Sequence, residues 1–594
     1  MARKIIAGLL LCQGQIFACG AAAVEAQDAR LRSIDVFELE VAGDVQISPD
    51  GRRIAYLRRS MDIMRDRVLS NVWVVNVDGG GHRPLLSGTE SYSSPRWSPE
   101  GDRLAYVSAA GERGAELYVR WMDTGQTALL SNLPAGPESL RWSPDGRMIA
   151  FAMFVDSPGL KLAEAPEKPE GAEWAPPVKI IDKLPYRFDG AGYLDAGYTH
   201  IFVIPAEAGT PRQLTSGDYD HEGPLAWSPD GASIVFSANR VENPIDQPIE
   251  SELWSVDVAS GELQKLTDRE GPDTAPAISP DGRLIAYRGF DDRLMGYHNA
   301  RVWLMDRRDG SIRNLTADFD RSVDDVQWAG SSNRLYIQYD DRGRTHVASL
   351  DLDGRIAPLA DDVGGESLGR PYTSGGFTVA GNGSFAYTAG RPDRPADVGY
   401  GRRGGEPRRL TALNDDLFAQ RDLGEVEELA WQSSVGDYEV QGWLVKPPGF
   451  DPAAKYPLLL EIHGGPFAAY GPMFAAELQL YAAAGYVVLY ANPRGSTSYG
   501  DAFANEIHHN YPSRDYDDLM SGVDAVIGRG YIDAGQLFVT GGSGGGVLTA
   551  WIVGKTDRFR AAVVAKPVIN WGSFALTADV TPFFTRYWFA GLPW

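Results

Sequence analysis

A five-residue turn recurs at near-regular spacing through the first two-thirds of the chain, and it restricts the architecture more than any other feature. The copies are Ile47-Ser-Pro-Asp-Gly51, Trp97-Ser-Pro-Glu-Gly101, Trp142-Ser-Pro-Asp-Gly146, Trp227-Ser-Pro-Asp-Gly231 and Ile278-Ser-Pro-Asp-Gly282. In such a turn proline presets φ, aspartate caps the bend and glycine supplies a positive φ. Each copy leads into a short alternating strand such as Arg103-Leu-Ala-Tyr-Val107, and a second strand pair follows, as at Val72-Trp-Val-Val-Asn76. Several units end on a Leu-Thr pair: Leu214-Thr215, Leu266-Thr267, Leu315-Thr316 and Leu410-Thr411. Two degenerate copies, Trp328-Ala-Gly-Ser-Ser-Asn333 and Gly381-Asn-Gly-Ser384, bring the number to seven. Four-stranded units repeating at roughly 50 residues are propeller blades, whereas a run of sandwich domains would not keep one period or one tryptophan position. The expectation is a seven-bladed β-propeller. One gap is longer, from Trp142 to Trp227, and holds an insert at about 157–198 that opens rich in Pro, Glu and Lys and ends Tyr186-Arg-Phe-Asp-Gly-Ala-Gly-Tyr193. It reads as a mobile loop on one propeller face.

After about residue 412 the pattern changes. Tyr456-Pro-Leu-Leu-Leu-Glu-Ile462, Gly485-Tyr-Val-Val-Leu-Tyr490, Leu537-Phe-Val-Thr540 and Ala561-Ala-Val-Val-Ala565 are continuous apolar runs. Strands apolar on both faces belong to a parallel sheet covered by helices. A helical pattern lies between the second and third runs, from Tyr516 to Arg529, with Leu519, Val523, Val526 and Ile527 on one face.

The formal net charge of −23, with no long block of one sign, argues against nucleic acid or an anionic membrane surface as a partner. At the N-terminus, Met-Ala-Arg-Lys precedes Ile5-Ile-Ala-Gly-Leu-Leu-Leu11 and small residues up to Val24-Glu-Ala26, the three parts of a secretory signal. Residues 1–26 are therefore expected to be a signal peptide and the protein periplasmic or secreted, with a cytoplasmic location less favoured. Both cysteines, Cys12 and Cys19, fall inside that segment, so no disulfide framework, zinc site or cysteine nucleophile is expected after cleavage. No other stretch is long and apolar enough to span a membrane.

Chemistry concentrates in two glycine-rich turns. Gly541-Gly-Ser543-Gly-Gly545 stands between a predicted strand and a predicted helix, the context of a nucleophile elbow, and no Gly-Lys-Ser/Thr follows that would make it a phosphate loop. Ser543 is the candidate nucleophile. His463-Gly464-Gly465-Pro466 directly follows a strand, where a turn can offer backbone N–H groups to a carbonyl oxygen as it gains charge. Gly544 and Gly465 (or Gly464) are the candidate oxyanion donors. His463 opens that turn and is expected to shape it rather than act as a base. His508-His509 lacks a visible third ligand and is read as a solvated loop rather than a metal site. Asp515, Asp517 and Asp518 start a predicted helix, where negative charge suits the N-terminus.

Together with the propeller repeats, Asn492-Pro-Arg-Gly-Ser496-Thr-Ser-Tyr-Gly500 and Asp515-Tyr-Asp-Asp-Leu519, these turns resemble the prolyl oligopeptidase family of serine peptidases, and most of all its acylaminoacyl-peptidase and dipeptidyl-peptidase-like branch. The resemblance implies a propeller (27–411) capping an α/β-hydrolase domain (412–594). It also implies short peptides as substrates, no cofactor or metal, Ser543 as nucleophile, and Gly465 and Gly544 as the oxyanion hole. Two departures stand out. The family usually carries tyrosine where this chain has Gly544, and its aspartate and histidine come well after the serine. Here Asp557 and Asp579 come too soon and no histidine follows Ser543. The hydrolase domain is thus expected to lack its last strands and this polypeptide alone to be nearly inactive. A non-catalytic peptide-binding protein and an esterase acting on small acyl esters are the alternatives.

Overall fold

The computed structural model describes residues 29–594 apart from 112–113, 158–159, 161–162, 164–165 and 176–177, so the expected signal peptide at 1–26 lies outside the described residues. The repeats form seven four-stranded antiparallel units in chain order, the sixth and seventh joined into one sheet by the pairing of Val363 with Ala389. The first is Glu40–Ile47, Arg53–Asp62, Arg67–Asn76 and Arg83–Leu86. The last is Phe377–Val379, Ser384–Arg391, Arg394–Arg402 and Arg408–Arg409.

The turn motif works as its residue types demand. In blade one the Ser48 hydroxyl donates to Asp50 at 2.6 Å, Ser48 Oγ accepts the Arg53 N–H at 2.9 Å, and Gly51 adopts a φ of 71°. In the copy that carries Glu100, Asp102 takes over as acceptor for Ser98 at 2.8 Å. The Leu-Thr pairs also have a role. Each threonine hydroxyl accepts a third-strand N–H: Ile201 to Thr215, Leu253 to Thr267, Val302 to Thr316 and Val398 to Thr411, all at 2.9 Å.

The repeated tryptophan is a latch between blades. Trp97 donates its ring N–H to the Gln46 carbonyl (2.9 Å), Trp142 to Arg96 (3.0 Å), Trp227 to Arg141 (3.2 Å) and Trp328 to Ala277 (2.8 Å). Each bond joins the innermost strand of one blade to that of the blade before it. Blade one carries Ile47 at this position and is reached from blade seven instead. The Ile47 N–H donates to Thr378 Oγ1 (2.9 Å), Thr378 donates to the Val45 carbonyl (3.0 Å), and the Gly381 N–H donates to the Pro49 carbonyl (3.2 Å). Among the described residues no strand is exchanged between the first and last blades, and these contacts close the ring. Trp142→Phe keeps an aromatic ring in a smaller side chain, removes the indole N–H and leaves the Arg96 carbonyl unmet. It is expected to lower stability by about 1–2 kcal/mol in urea denaturation, and a loss under about 0.3 kcal/mol would refute the latch.

The insert leaves blade three between strands Met148–Asp156 and Gly197–Pro205 and contains a small hairpin, Arg187–Phe188 with Gly192–Tyr193. The first described residues side with the second architecture rather than the propeller. Asp35 is buried between Arg32 and Arg421, and the Asp422 N–H donates to the Ala29 carbonyl at 2.7 Å.

The second architecture is a six-stranded sheet in the order Val426–Gln432, Glu439–Val445, Val487–Asn492, Tyr456–Ile462, Ile532–Gly542, Ala561–Ala565. The first two pairings in this order are antiparallel and the other three, among the continuous apolar runs, are parallel. Helix Asp515–Ile527 packs Leu519, Val523 and Val526 against one face with no exposure. Among the described residues no helix is long and apolar enough to cross a membrane.

Candidate active site

Strand Ile532–Gly542 lies in the middle of the parallel part of the sheet and delivers Ser543 to its C-terminal edge, where helix Gly544–Lys555 begins. Ser543 has φ 56° and ψ −117°, a conformation that costs a non-glycine residue about 1–3 kcal/mol and is found where surrounding structure enforces it. The enforcement is visible at two glycines. A Cβ on Gly541 would stand 2.4 Å from the Gly545 carbonyl oxygen, and one on Gly545 would stand 2.1 Å from the Ile462 carbonyl oxygen. Strand, elbow and helix therefore meet backbone to backbone, and Ser543 is left exposed at the bend.

The turn after strand Tyr456–Ile462 presses against this elbow. A Cβ position on Gly464 lies 3.0 Å from the Gly542 carbonyl oxygen and 3.2 Å from the Ser543 Cβ. The His463 ring is buried, with Nδ1 2.8 Å from the Gly464 carbonyl and Nε2 2.9 Å from the Ser496 hydroxyl. A carbonyl only accepts, so Nδ1 carries the proton, and the neutral ring meets the Ser496 hydroxyl through Nε2. This bond fixes the Gly464–Gly465 peptide plane, whose N–H, on Gly465, points opposite to the pinned carbonyl. Neither the Gly465 nor the Gly544 N–H donates to a protein acceptor among the described residues. The two backbones are adjacent: a Cβ on Gly544 would lie 3.2 Å from the Gly465 nitrogen. A side chain at position 544 would therefore need the turn to yield by a few tenths of an ångström.

Burial holds His463 down to about 4, against an ordinary value of 6.5. The unfolded chain takes up this proton near pH 6.5 and the folded protein does not until about pH 4. The stability from the neutral ring is thus complete above pH 6.5 and is lost as pH falls towards 4. At about 1.4 kcal/mol per pH unit, the difference between wild type and His463→Asn should change by up to about 3 kcal/mol over that window in denaturant titrations. A pH-independent difference would show that the ring titrates freely.

No histidine hydrogen-bonds Ser543 among the described residues. His508 accepts the Gly296 N–H at 3.1 Å, which ties its loop to the propeller. His200 and His221 face each other across blades three and four at 3.2 Å. Among the described residues no group of three or more His, Cys, Asp or Glu side chains is placed to hold a metal. Asp557 is exposed, and Asp579 accepts the Asp189 N–H of the insert at 3.4 Å.

The acidic helix start proves more varied than a dipole argument implies. Asp518 forms a fully buried two-point pair with Arg494, at 2.7 and 3.0 Å, and accepts the Arg494 N–H at 2.9 Å. Asp515 caps the Ser513 and Tyr516 N–H groups, and burial pushes its carboxyl up to about 7. Sequence reasoning missed both roles. The signal was the Asn-Pro-Arg-Gly motif itself, an arginine inside an otherwise small and apolar stretch.

An aromatic wall stands beside the elbow. The Tyr511 hydroxyl donates to the Gly544 carbonyl at 2.7 Å, and the Trp588 ring packs edge-on against both Tyr511 (5.5 Å) and Phe467 (5.7 Å). A separate cavity of about 1300 Å³ lies under the insert, between its residues 179–199, blade-three and blade-four loops, and Asp579–Phe583. Ser543 does not line it.

A propeller set on an α/β-hydrolase sheet, with a strained serine at the strand-to-helix bend, defines a class of serine hydrolases. The comparisons narrow it. A profile of the prolyl oligopeptidase family matches residues 472–594, and one of the dipeptidyl peptidase IV N-terminal region matches residues 186–293. An uncharacterized peptidase, YuxL, of Bacillus subtilis is 32% identical over 568 residues, covering 93% of this chain and 84% of the relative. The dipeptidyl-peptidase 5 of Porphyromonas gingivalis is 24% identical, covering 89% of this chain and 77% of its own length. In structure, the acylaminoacyl peptidase of Pyrococcus horikoshii superposes with a TM-score of 0.77 at 22% identity, covering 93% of this chain and 81% of that one. The chain belongs to the prolyl oligopeptidase family of serine peptidases.

Proposed function

We propose that Ser543 is the nucleophile of a peptidase acting on short peptides, of dipeptidyl- or acylaminoacyl-peptidase type, with the Gly465 and Gly544 N–H groups as its oxyanion hole. The observation that carries this reading is the exposed, strained Ser543 flanked by two backbone donors with no protein partner. In the reaction the Ser543 oxygen attacks the substrate carbonyl, the carbonyl oxygen turns towards those donors as it gains charge, and an acyl-enzyme forms that water releases. The aromatic wall of Phe467, Tyr511 and Trp588 suits an apolar side chain next to the scissile bond. The relatives named for dipeptidyl and acylaminoacyl substrates favour cleavage near an N-terminus.

The proton of Ser543 needs a base, and none of the eight histidines in this polypeptide follows or bonds that serine. A site left with its oxyanion hole and binding alone retains about 10³–10⁴ over water. The purified 594-residue chain should therefore turn over dipeptidyl and acyl-aminoacyl chromogenic substrates at or below that level. Ordinary enzyme rates would refute the expectation. Because no histidine among the described residues hydrogen-bonds Ser543, a second reading is a protein that binds peptides at this site without cleaving them. Peptide binding by calorimetry with no product release separates the two. For the N-terminus we propose a secretory signal over residues 1–26, checked by the first residue of the exported protein.

A further inference from the structure

Resting on Ser543 as nucleophile, we infer that Tyr372, a propeller residue, is a positioning residue of the active site: its hydroxyl holds the oxyanion turn so that the Gly465 N–H faces the nucleophile. Tyr372 lies in the connection between the last strand of blade six and the first of blade seven. Its hydroxyl oxygen accepts the Gly464 N–H at 2.8 Å. The same point in space, a Cβ position on Gly464, lies 3.3 Å from the Tyr372 hydroxyl and 3.2 Å from the Ser543 Cβ, so hydroxyl and nucleophile flank one glycine.

The two hydrogen-bonding groups of Gly464 are thus pinned from opposite sides. Its carbonyl is held by His463 from within the hydrolase, and its N–H by Tyr372 from the propeller. Without the hydroxyl, a buried N–H would be left without an acceptor. The His463–Gly464 peptide, which carries that N–H, would then be free to rotate, and it is joined at the Gly464 Cα to the next peptide, which carries the Gly465 N–H, so the aim of that donor loosens with it.

Tyr372 is itself fixed firmly. The Gly471 N–H donates to the Pro371 carbonyl (2.8 Å), the Thr373 N–H donates to the Ala469 carbonyl (3.0 Å), and the rings of Tyr372 and Tyr470 pack edge to face at 4.7 Å. Two residues before Tyr372, Arg370 pairs with Glu461 on the strand that leads into the turn (3.1 Å) and with Glu477 (3.1 Å). Tyr470 donates to the same Glu461 at 3.1 Å. The propeller therefore grips the turn, the strand before it and the segment after it, and the geometry at Ser543 depends on the propeller being docked.

The test is Tyr372→Phe in the full chain, which removes one oxygen and keeps the ring packing. Hydrogen–deuterium exchange resolved to the Gly464 amide should become roughly tenfold faster. The rate at which an alkyl fluorophosphonate labels Ser543 at alkaline pH, where hydroxide takes the serine proton in place of the base this polypeptide does not set beside it, followed by mass spectrometry with Ser543→Ala as the unlabelled control, should fall about tenfold while the melting temperature barely moves. Unchanged exchange at Gly464 overturns the inference, as does faster exchange with unchanged labelling, which would make the bond purely structural. If wild type is labelled no more than Ser543→Ala, the nucleophile reading itself fails and takes any role of Tyr372 in the reaction with it.

Discussion

Asp518→Ala is expected to lower the stability of this protein by about 3–5 kcal/mol, the largest single-residue effect foreseen here, measured as a shift of the urea unfolding transition. Arg494 is only 2% exposed and Asp518 not at all, so the substitution leaves a guanidinium without its counter-charge where water cannot replace it. The carboxylate also accepts the Arg494 backbone N–H, and the guanidinium reaches on to Ser433 (3.1 Å) and the Arg514 carbonyl (3.2 Å). These bonds bind the loop after strand Val487–Asn492 to the start of helix Asp515–Ile527. The double replacement Arg494→Met with Asp518→Leu should recover much of the loss, because removing both charges also removes their desolvation cost. A loss below 1 kcal/mol in the single variant would show that the pair is solvated in solution.

Gly545→Ala is the second large effect, and it acts on the site itself. The new methyl would meet the Ile462 oxygen at 2.1 Å and the His463 oxygen at 2.8 Å. Both are backbone atoms of a central strand and its turn, so neither can swing aside as a side-chain tip would. Relief requires the helix Gly544–Lys555 to retreat from the sheet, which breaks the contact between elbow and oxyanion turn. The expected outcome is a loss of about 3 kcal/mol or more in stability, since the clash exceeds ordinary overpacking. Labelling of Ser543 by a fluorophosphonate should be lost with it. Gly554→Ala, on the same helix with open space around it, is the control and should be neutral or slightly stabilising. Equal behaviour of the two variants would mean that the close approach does not constrain the elbow.

Much of the fold was legible because it is written locally. The Ser-Pro-Asp-Gly turns specify their own geometry within five residues, and their period counts the blades. The apolar runs at Tyr456–Ile462 and Ala561–Ala565 match the observed strands end for end; the first is buried on both faces, whereas the second is the sheet's edge and leaves Val563 and Val564 exposed. Strand Val426–Gln432 was not anticipated. It lies at the sheet edge and alternates buried and exposed residues among three charged or polar ones, so it reads like a connecting segment. The bend at Ser543 was legible for the same local reason, since glycines around a serine between strand and helix admit few other structures.

What the sequence determined by itself is the list of parts: seven blades, a parallel sheet, a serine at its elbow and a glycine turn to face it. What only the tertiary structure decided is how those parts hold one another. Arg494 meets Asp518 from 24 residues away, and Tyr372 reaches Gly464 from 92 residues away across two architectures. No periodicity encodes such pairs. They arise because burial leaves a charge or an N–H group needing a partner, and the packed fold alone determines which residue stands close enough to supply it.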